Sequence, residues 1–224
     1  MNSRSQEIHI FDLDGTLSNN DTFTPFLLGF FKINPKLIRY LPHLSLYAAL
    51  FCLKQISNHA LKEKFLKVLL PNTSFDKINL WSAYYAQHIF EHKLNKQLVN
   101  HIEKLKGSGS IIVIATASPN IYVEILAKIL GVHKMICTNL ARNSHGEPTG
   151  DLDGKNCYGE EKKNRVSEWI RHTHPGKITF FYTDHQSDLP LLTYVDHGIL
   201  VKPTQGLIKL SKDYNFIRLE DYLP

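Results

Sequence analysis

The sequence is short of cysteine. It has three in 224 residues, Cys52, Cys137 and Cys157, scattered and without a Cys-x-x-Cys pair. That excludes a disulfide framework and a zinc ribbon, and it reads as reduced thiols in a cytosolic protein. Long hydrophobic runs are missing too. The uncharged stretch Tyr40–Leu53 has 14 residues and contains Pro42 and His43, too short for a bilayer span. No Lys/Arg-rich run marks a nucleic-acid patch, and a net charge of +5 favours anionic partners without implying nucleic acid. Met1–Glu7 is polar and leads straight into an apolar stretch, so no secretory leader is expected. Internal repeats and low-complexity tracts are absent. What remains is an ordinary globular composition, 43% hydrophobic and 21% charged, long enough for one large domain or a core with an insert.

The stretch that organises the chain is Ile8-His9-Ile10-Phe11-Asp12-Leu13-Asp14-Gly15-Thr16-Leu17. It reads as a short apolar strand ending in two carboxylates at i and i+2, which a strand directs to one side. Two crowded negative charges are costly to bury. A cation between them removes that cost, and oxygen ligands on a short loop suit Mg²⁺. Gly15 allows a sharp exit. Alone, the pattern is equally an ordinary Asp-Gly turn, and the rest of the chain must decide.

From Ser18 to about Lys106 the apolar period is helical, broken by Pro35, Pro42 and Pro71. One expected helix spans 77–91, with Trp81, Tyr84 and Tyr85 read as core, and another spans 93–105. Ser110–Thr116 is a continuous aliphatic run, as in a parallel strand covered on both faces. A helix then runs from Pro119 to about Leu130 and stops at Gly131. Further strands are expected at 135–138, 178–183 and 198–201, with helices at 160–171 and 189–195 and a polar flap over 139–158. Alternating strands and helices imply an α/β fold with a parallel sheet. Polar residues follow each strand, where such sheets place their sites. The core is expected from 1–17 and 107–224, and a helical cap with its linkers from 18–106.

Three strand ends and one helix start offer chemistry: Asp12 and Asp14; Thr116-Ala117-Ser118; Lys162; and Asp184-His185-Gln186-Ser187-Asp188. In this order they resemble the four motifs of the haloacid dehalogenase superfamily. The first is Phe11-Asp12-Leu13-Asp14-Gly15-Thr16-Leu17 and the second Ile114-Ala115-Thr116-Ala117-Ser118. The third is Lys162 after Cys157-Tyr158-Gly159, and the fourth Tyr182-Thr183-Asp184-x-x-x-Asp188. The resemblance implies a Rossmann-like three-layer core with an all-helical C1-type cap. It implies Mg²⁺-dependent phosphomonoester hydrolysis through an aspartyl-phosphate. Asp12 is then the nucleophile and Asp14 the general acid and base; this second carboxylate distinguishes phosphatases from dehalogenases. Thr116, Ala117 and Ser118 hold the phosphoryl oxygens, and Lys162 neutralises charge, with Lys155 and Lys163 as rivals for that role. Asp12, Asp14 through its carbonyl, and Asp184 ligate Mg²⁺, with Asp188 behind them.

The insert's position and the fourth motif resemble the phosphoserine-phosphatase-like branch, subfamily IB. There Asp21 and Lys62 fall where a Glu and an Arg meet the substrate amine and carboxylate. Both depart from that pattern, and lysine lacks the bidentate grip of arginine, which puts phosphoserine itself in doubt. The expected substrate is a small phosphorylated metabolite. Between Thr22 and Lys62 there is no Asp or Glu, but Lys32, Lys36, Arg39, Lys54 and Lys62 are interleaved with Phe and Leu. That pattern fits either a packed cap with solvated lysines or peripheral contact with an anionic membrane. Asp21-x-Phe23 and the apolar cap also resemble the phosphatidylglycerophosphatase C branch, which implies a lipid phosphatase as the alternative. A non-enzyme alternative is an idle phosphate- or Mg²⁺-binding module, and a phosphoryl-retaining mutase is a further one. Of the twelve histidines, His88 and His92 at i, i+4 read as surface imidazoles, and His185 as a neighbour of the site. The location expected is cytoplasmic or peripheral at the inner membrane face; the oligomeric state is left open.

Overall fold

The structure, a computed structural model, describes residues 6–223. The reading of Met1–Glu7 as a polar leader-free start lies mostly outside that range. In chain order the elements are β1 (Ile8–Phe11), α1 (Phe23–Ile33), α2 (Leu41–Cys52), α3 (Asn58–Leu69), α4 (Phe75–His92), α5 (Lys96–Gly107), β2 (Ile111–Pro119), α6 (Asn120–Leu130), β3 (Lys134–Thr138), β4 (Leu140–Arg142), β5 (Pro148–Leu152), α7 (Glu160–Thr173), β6 (Thr179–Thr183), α8 (Leu189–Leu192), β7 (His197–Leu200), α9 (Gln205–Leu210), β8 (Ile217–Arg218) and α10 (Leu219–Tyr222).

Six strands form one sheet in the order β3-β2-β1-β6-β7-β8, every pairing parallel. β1 lies between β2 and β6, with Phe11 level with Ile114 and Tyr182. The ends that carry Asp12, Thr116 and Asp184 therefore emerge side by side. The strands alternate between two buried layers. Ile8, Ile10, Val113 and Phe181 face Val166 and Ile170 of α7 and Leu191 and Leu192 of α8. Phe11, Ile112, Ile114 and Tyr182 face Leu98 and Ile102 of α5 and Tyr122 and Leu126 of α6. The α/β three-layer expectation holds.

The second layer continues without a break into the cap, through Phe26, Phe30, Leu66, Tyr85 and Ile89. α5 falls inside the stretch 18–106 but lies on the sheet, where His101 Nε2 is 3.0 Å from the Tyr182 hydroxyl. Its start is Asn95, whose side chain accepts from Gln97 N at 3.1 Å, two residues later than expected. α4 begins at Phe75, ahead of the expected 77. Tyr85 is buried and Trp81 packs beside it, but Tyr84 is 62% exposed and is not core. α6 ends as expected at Gly131, which takes the left-handed conformation at φ 61°. The polar flap is an antiparallel hairpin of β4 and β5. It leans on α3, where Leu152 N donates to Glu63 at 3.1 Å.

Candidate active site

Asp12 leaves the end of β1 buried, its backbone N–H held by Tyr182 O at 2.9 Å. Lys162, in the first turn of α7 and 2% exposed, points its ammonium at it, with Nζ 2.9 Å from Asp12 Oδ1. The same ammonium lies 2.8 Å and 2.9 Å from the two oxygens of buried Asp188. Thr183 donates to Asp188 Oδ2 at 2.7 Å, while Oδ1 meets no partner besides that ammonium. Burial works against the charge on Lys162, but Asp12 and Asp188 outweigh it and hold the ammonium above its ordinary pKa. The rivals are elsewhere: Lys163 lies near Glu160 at 3.9 Å, and Lys155 offers its carbonyl to Arg165.

Asp14 is gripped by donors on both oxygens. Thr22 N and Thr22 Oγ1 each donate to Oδ1 at 2.6 Å, and Ser118 Oγ donates to Oδ2 at 2.7 Å. Tyr122 and Thr22 share a hydrogen bond of 2.8 Å behind this pair. Burial raises the Asp14 pKa, and these hydrogen bonds only partly counter it. Asp12 is raised further, again by burial, with Lys162 opposing. Asp184 is raised by burial as well, against one hydrogen bond from Thr16 Oγ1 at 2.9 Å.

Asp14, Asp12, Lys162 and Asp188 line one cavity of about 510 Å³ with Ala117, Ser118, Asp21, Lys62, His185 and Ser187. Thr116 and Asp184 are not among its lining residues. Thr116 is fully buried, and its hydroxyl oxygen accepts from Ser118 N at 3.0 Å, which shapes the loop. Asp184 sits under the Gly15 turn. Gly15 has φ 80°, and a Cβ there would overlap the Asp184 carboxylate, with its Cγ 2.7 Å away. Asp21 caps α1, accepting from Phe23 N at 3.1 Å and Thr24 N at 3.0 Å. His185 Nδ1 lies 2.9 Å from Ser187 Oγ, so the ring braces the turn that carries Asp188.

Lys62 is buried beneath the Phe23 ring, 4.9 Å from its centre. It donates to Ala117 O and, at 3.1 Å, to Asn156 Oδ1. Burial pushes its pKa down to about 8, against the pull of Asp14. Thr22, which holds Asp14, and Asn156, which holds Lys62, are contacts that sequence reasoning missed. Thr22 had a signal, an N-cap residue type beside Asp21; Asn156 had none.

Among the described residues no group of three or more His, Cys, Asp or Glu side chains is gathered as a metal cluster. The expected Mg²⁺ donors, two carboxylates and one backbone carbonyl, do not require one. The charge balance fits a hard cation. Of the four buried or half-buried carboxylates, Asp12 and Asp188 share the Lys162 ammonium, Asp14 and Asp184 have no cation in ion-pair contact, and Asp12, Asp14 and Asp184 have raised pKa values.

A parallel sheet with two carboxylates at the tip of its central strand and a lysine across from them defines a class. The family model for haloacid dehalogenase-like hydrolases matches residues 10–193, and the chain belongs to that family. Similar proteins include CicA of Caulobacter vibrioides, 27% identical over 83% of this chain and 82% of that one. Histidinol-phosphatase of Neisseria meningitidis serogroup C is 27% identical over 67% and 71%. A solved Bordetella pertussis protein of unknown function superposes with TM-score 0.80 at 21% identity, covering 96% and 98% of the two chains. A substrate-bound phosphoserine phosphatase superposes with TM-score 0.66 at 17% identity, covering 97% and 94%. The two superpositions show that the fold is shared with these solved structures.

Proposed function

We propose that this hydrolase is a Mg²⁺-dependent phosphomonoesterase that works through a phosphorylated Asp12. The observation that carries the reading is the pairing of two unlike carboxylates. Asp12 is ion-paired to the Lys162 ammonium, which opposes the burial that raises its pKa, while Asp14, two residues on and half-buried, is held by hydroxyl and N–H donors with no cation in ion-pair contact and is assigned the proton. An Asp12 oxygen forms a bond to phosphorus as the ester P–O bond breaks. Asp14 gives its proton to the departing alkoxide. It then takes a proton from water, which attacks phosphorus and breaks the P–O bond to Asp12, so that the carboxylate is regenerated and inorganic phosphate leaves. Lys162 offsets the charge gathered on Asp12 and the phosphoryl group, and Ala117 and Ser118, which line the cavity while Thr116 braces them from behind, flank its oxygens. Asp12, Asp184 and the Asp14 carbonyl would hold Mg²⁺, with Asp188 steadying them; the ion supplies charge neutralisation when bound.

The substrate proposed is a small phosphorylated metabolite, in keeping with a cavity of about 510 Å³. Lys62 already serves Ala117 and Asn156, and Asp21 serves α1, which favours a metabolite other than phosphoserine. A lipid phosphate monoester is the second reading. It is favoured by the apolar upper wall of Phe23, Leu27, Phe51, Leu61 and Phe65. A cytoplasmic location accords with the reduced thiols.

Release of phosphate from p-nitrophenyl phosphate, with and without Mg²⁺, tests the chemistry. Turnover that needs Mg²⁺ and vanishes in Asp12→Asn supports it. Absence of turnover favours the idle binding module instead, and an isomerised ester without free phosphate favours a mutase. A panel of serine, histidinol, glycerol and lipid head-group esters separates the substrate classes.

A further inference from the structure

α2 has twelve residues, no Asp, Glu, Lys or Arg, and a single buried side chain, Leu44. A surface helix of a soluble domain normally turns its apolar stripe toward the core. α2 leaves most of its apolar surface in the open. Leu41, Leu46 and Phe51 are exposed, as are Leu28 on α1, Ile38 between the two helices and Leu53 just beyond, with Leu46 at 55% and Leu53 at 68%. Isolated exposed leucines are ordinary, whereas a concentration of six large apolar side chains in one stretch marks a contact surface. Around them Lys32, Lys36, Arg39 and Lys54 are exposed, and no acidic residue intervenes from Thr22 to Lys62.

We propose that this face of the cap seats on an anionic lipid bilayer, with α2 lying in the headgroup plane and Lys32, Lys36, Arg39 and Lys54 against lipid phosphates. Charge complementarity selects this occupant. A second copy on a two-fold axis would set the same cations against themselves. α2 is about 18 Å long, enough to lie in an interface but not to cross one, and no described helix is long and apolar enough to span. Phe51, near the end of α2, also lines the catalytic cavity, so the docked face adjoins the site's mouth. The proposal rests on the cap surface and not on the phosphatase reading.

The chain carries its own reporter site. Cys52 on α2 is exposed while Cys137 and Cys157 are buried, so a polarity-sensitive fluorophore attached to thiols goes to this face. The full chain is floated with phosphatidylcholine vesicles that contain or lack phosphatidylglycerol. Binding is expected with the anionic vesicles only, with a blue shift of the Cys52 label and weakening by salt. Lys32→Gln with Lys36→Gln lowers the partition coefficient on the order of thirtyfold, and Leu46→Ser lowers it as well. Both variants should melt like the parent, which separates lost docking from misfolding. Equal binding to neutral vesicles, binding to neither, or unchanged binding in Lys32→Gln/Lys36→Gln overturns the proposal. So does a dimer in light scattering that Leu46→Asp dissociates, which would assign the face to a second copy. Flotation without phosphatase turnover sinks the functional reading and leaves this one; turnover without flotation does the reverse.

Discussion

Lys62 of α3 reaches out of the cap to the carbonyl oxygen of Ala117, and Asn156 closes the knot from the other side at 3.1 Å. Asn156 in turn donates to Asn58 of α3 at 3.0 Å, and Thr138 at the end of β3 lies 2.8 Å from both Ala117 O and Asn156 Oδ1. One buried ammonium therefore ties α3 to the C-terminal end of β2, beside the cavity. Its partners are main-chain and amide oxygens. We propose Lys62 as a positioning residue.

Lys62→Met leaves at least one of these buried oxygens short of a donor, because the single Thr138 proton cannot serve both. Stability should fall by about 1–3 kcal/mol in urea unfolding. kcat should fall more than KM rises, since the end of β2 is displaced and no substrate group is lost. A rise in KM alone, specific to carboxylate-bearing esters, would instead make Lys62 a substrate ligand.

Asp14→Asn removes the proton carrier and turns an amide nitrogen toward the donors of Thr22 or Ser118. Turnover of alkyl phosphates should drop about 10²–10⁴-fold. p-Nitrophenol needs no protonation to leave, so this variant should give a stoichiometric burst followed by slow turnover, with phosphate trapped on Asp12. Rapid-mixing absorbance and peptide mapping after chemical trapping read both events.

Gly15→Ala forces a side chain into the left-handed region and into the Asp184 carboxylate. Backbone strain of this sort costs about 1–3 kcal/mol. The Mg²⁺ concentration for half-maximal activity should rise, because Asp184 is the group displaced. Titration of activity with Mg²⁺ checks this, and an unchanged midpoint would remove Asp184 from the metal's ligands.

Acid should weaken the fold through a cluster away from the cavity. Tyr182 OH lies 2.9 Å from His9 Nδ1 and 3.0 Å from His101 Nε2. Burial lowers both imidazole pKa values, that of His101 to about 4. The unfolded chain then binds more protons than the native one between pH 6.5 and about 4. The stability these groups contribute is present above pH 6.5 and is lost as pH falls through that window. His101→Phe should flatten the fall in melting temperature between pH 7.5 and 5.

Much of the catalytic half was legible because its signals are local. A continuous aliphatic run such as Ile111–Ala115, of strand length, reads as a strand covered on both sides, and the residues after it lie at the C-terminal end of the sheet. Gly131 announced the end of α6 through its backbone freedom. The helical insert was legible as helices but not as packing. The period of Leu98, Ile102 and Leu105 says that α5 has a buried face, not which body buries it, and that face meets the sheet. We accordingly propose a cap of α1–α4, ending near Lys93. Tyr84 misled because aromatic type was taken for burial. Asn156 stayed hidden because a lone amide in a polar loop has no spacing to read; its role exists only once α3 has been laid across it.

β1 finds its partner β2 only after about a hundred intervening residues, with Ile8 level with Ile111. Pairings so distant along a chain form slowly, and a compact insert shortens the span that the two strands must close. The insert thus governs assembly as well as architecture: the speed with which α1–α4 condense sets how long the edges of β1 and β2 stand open during synthesis.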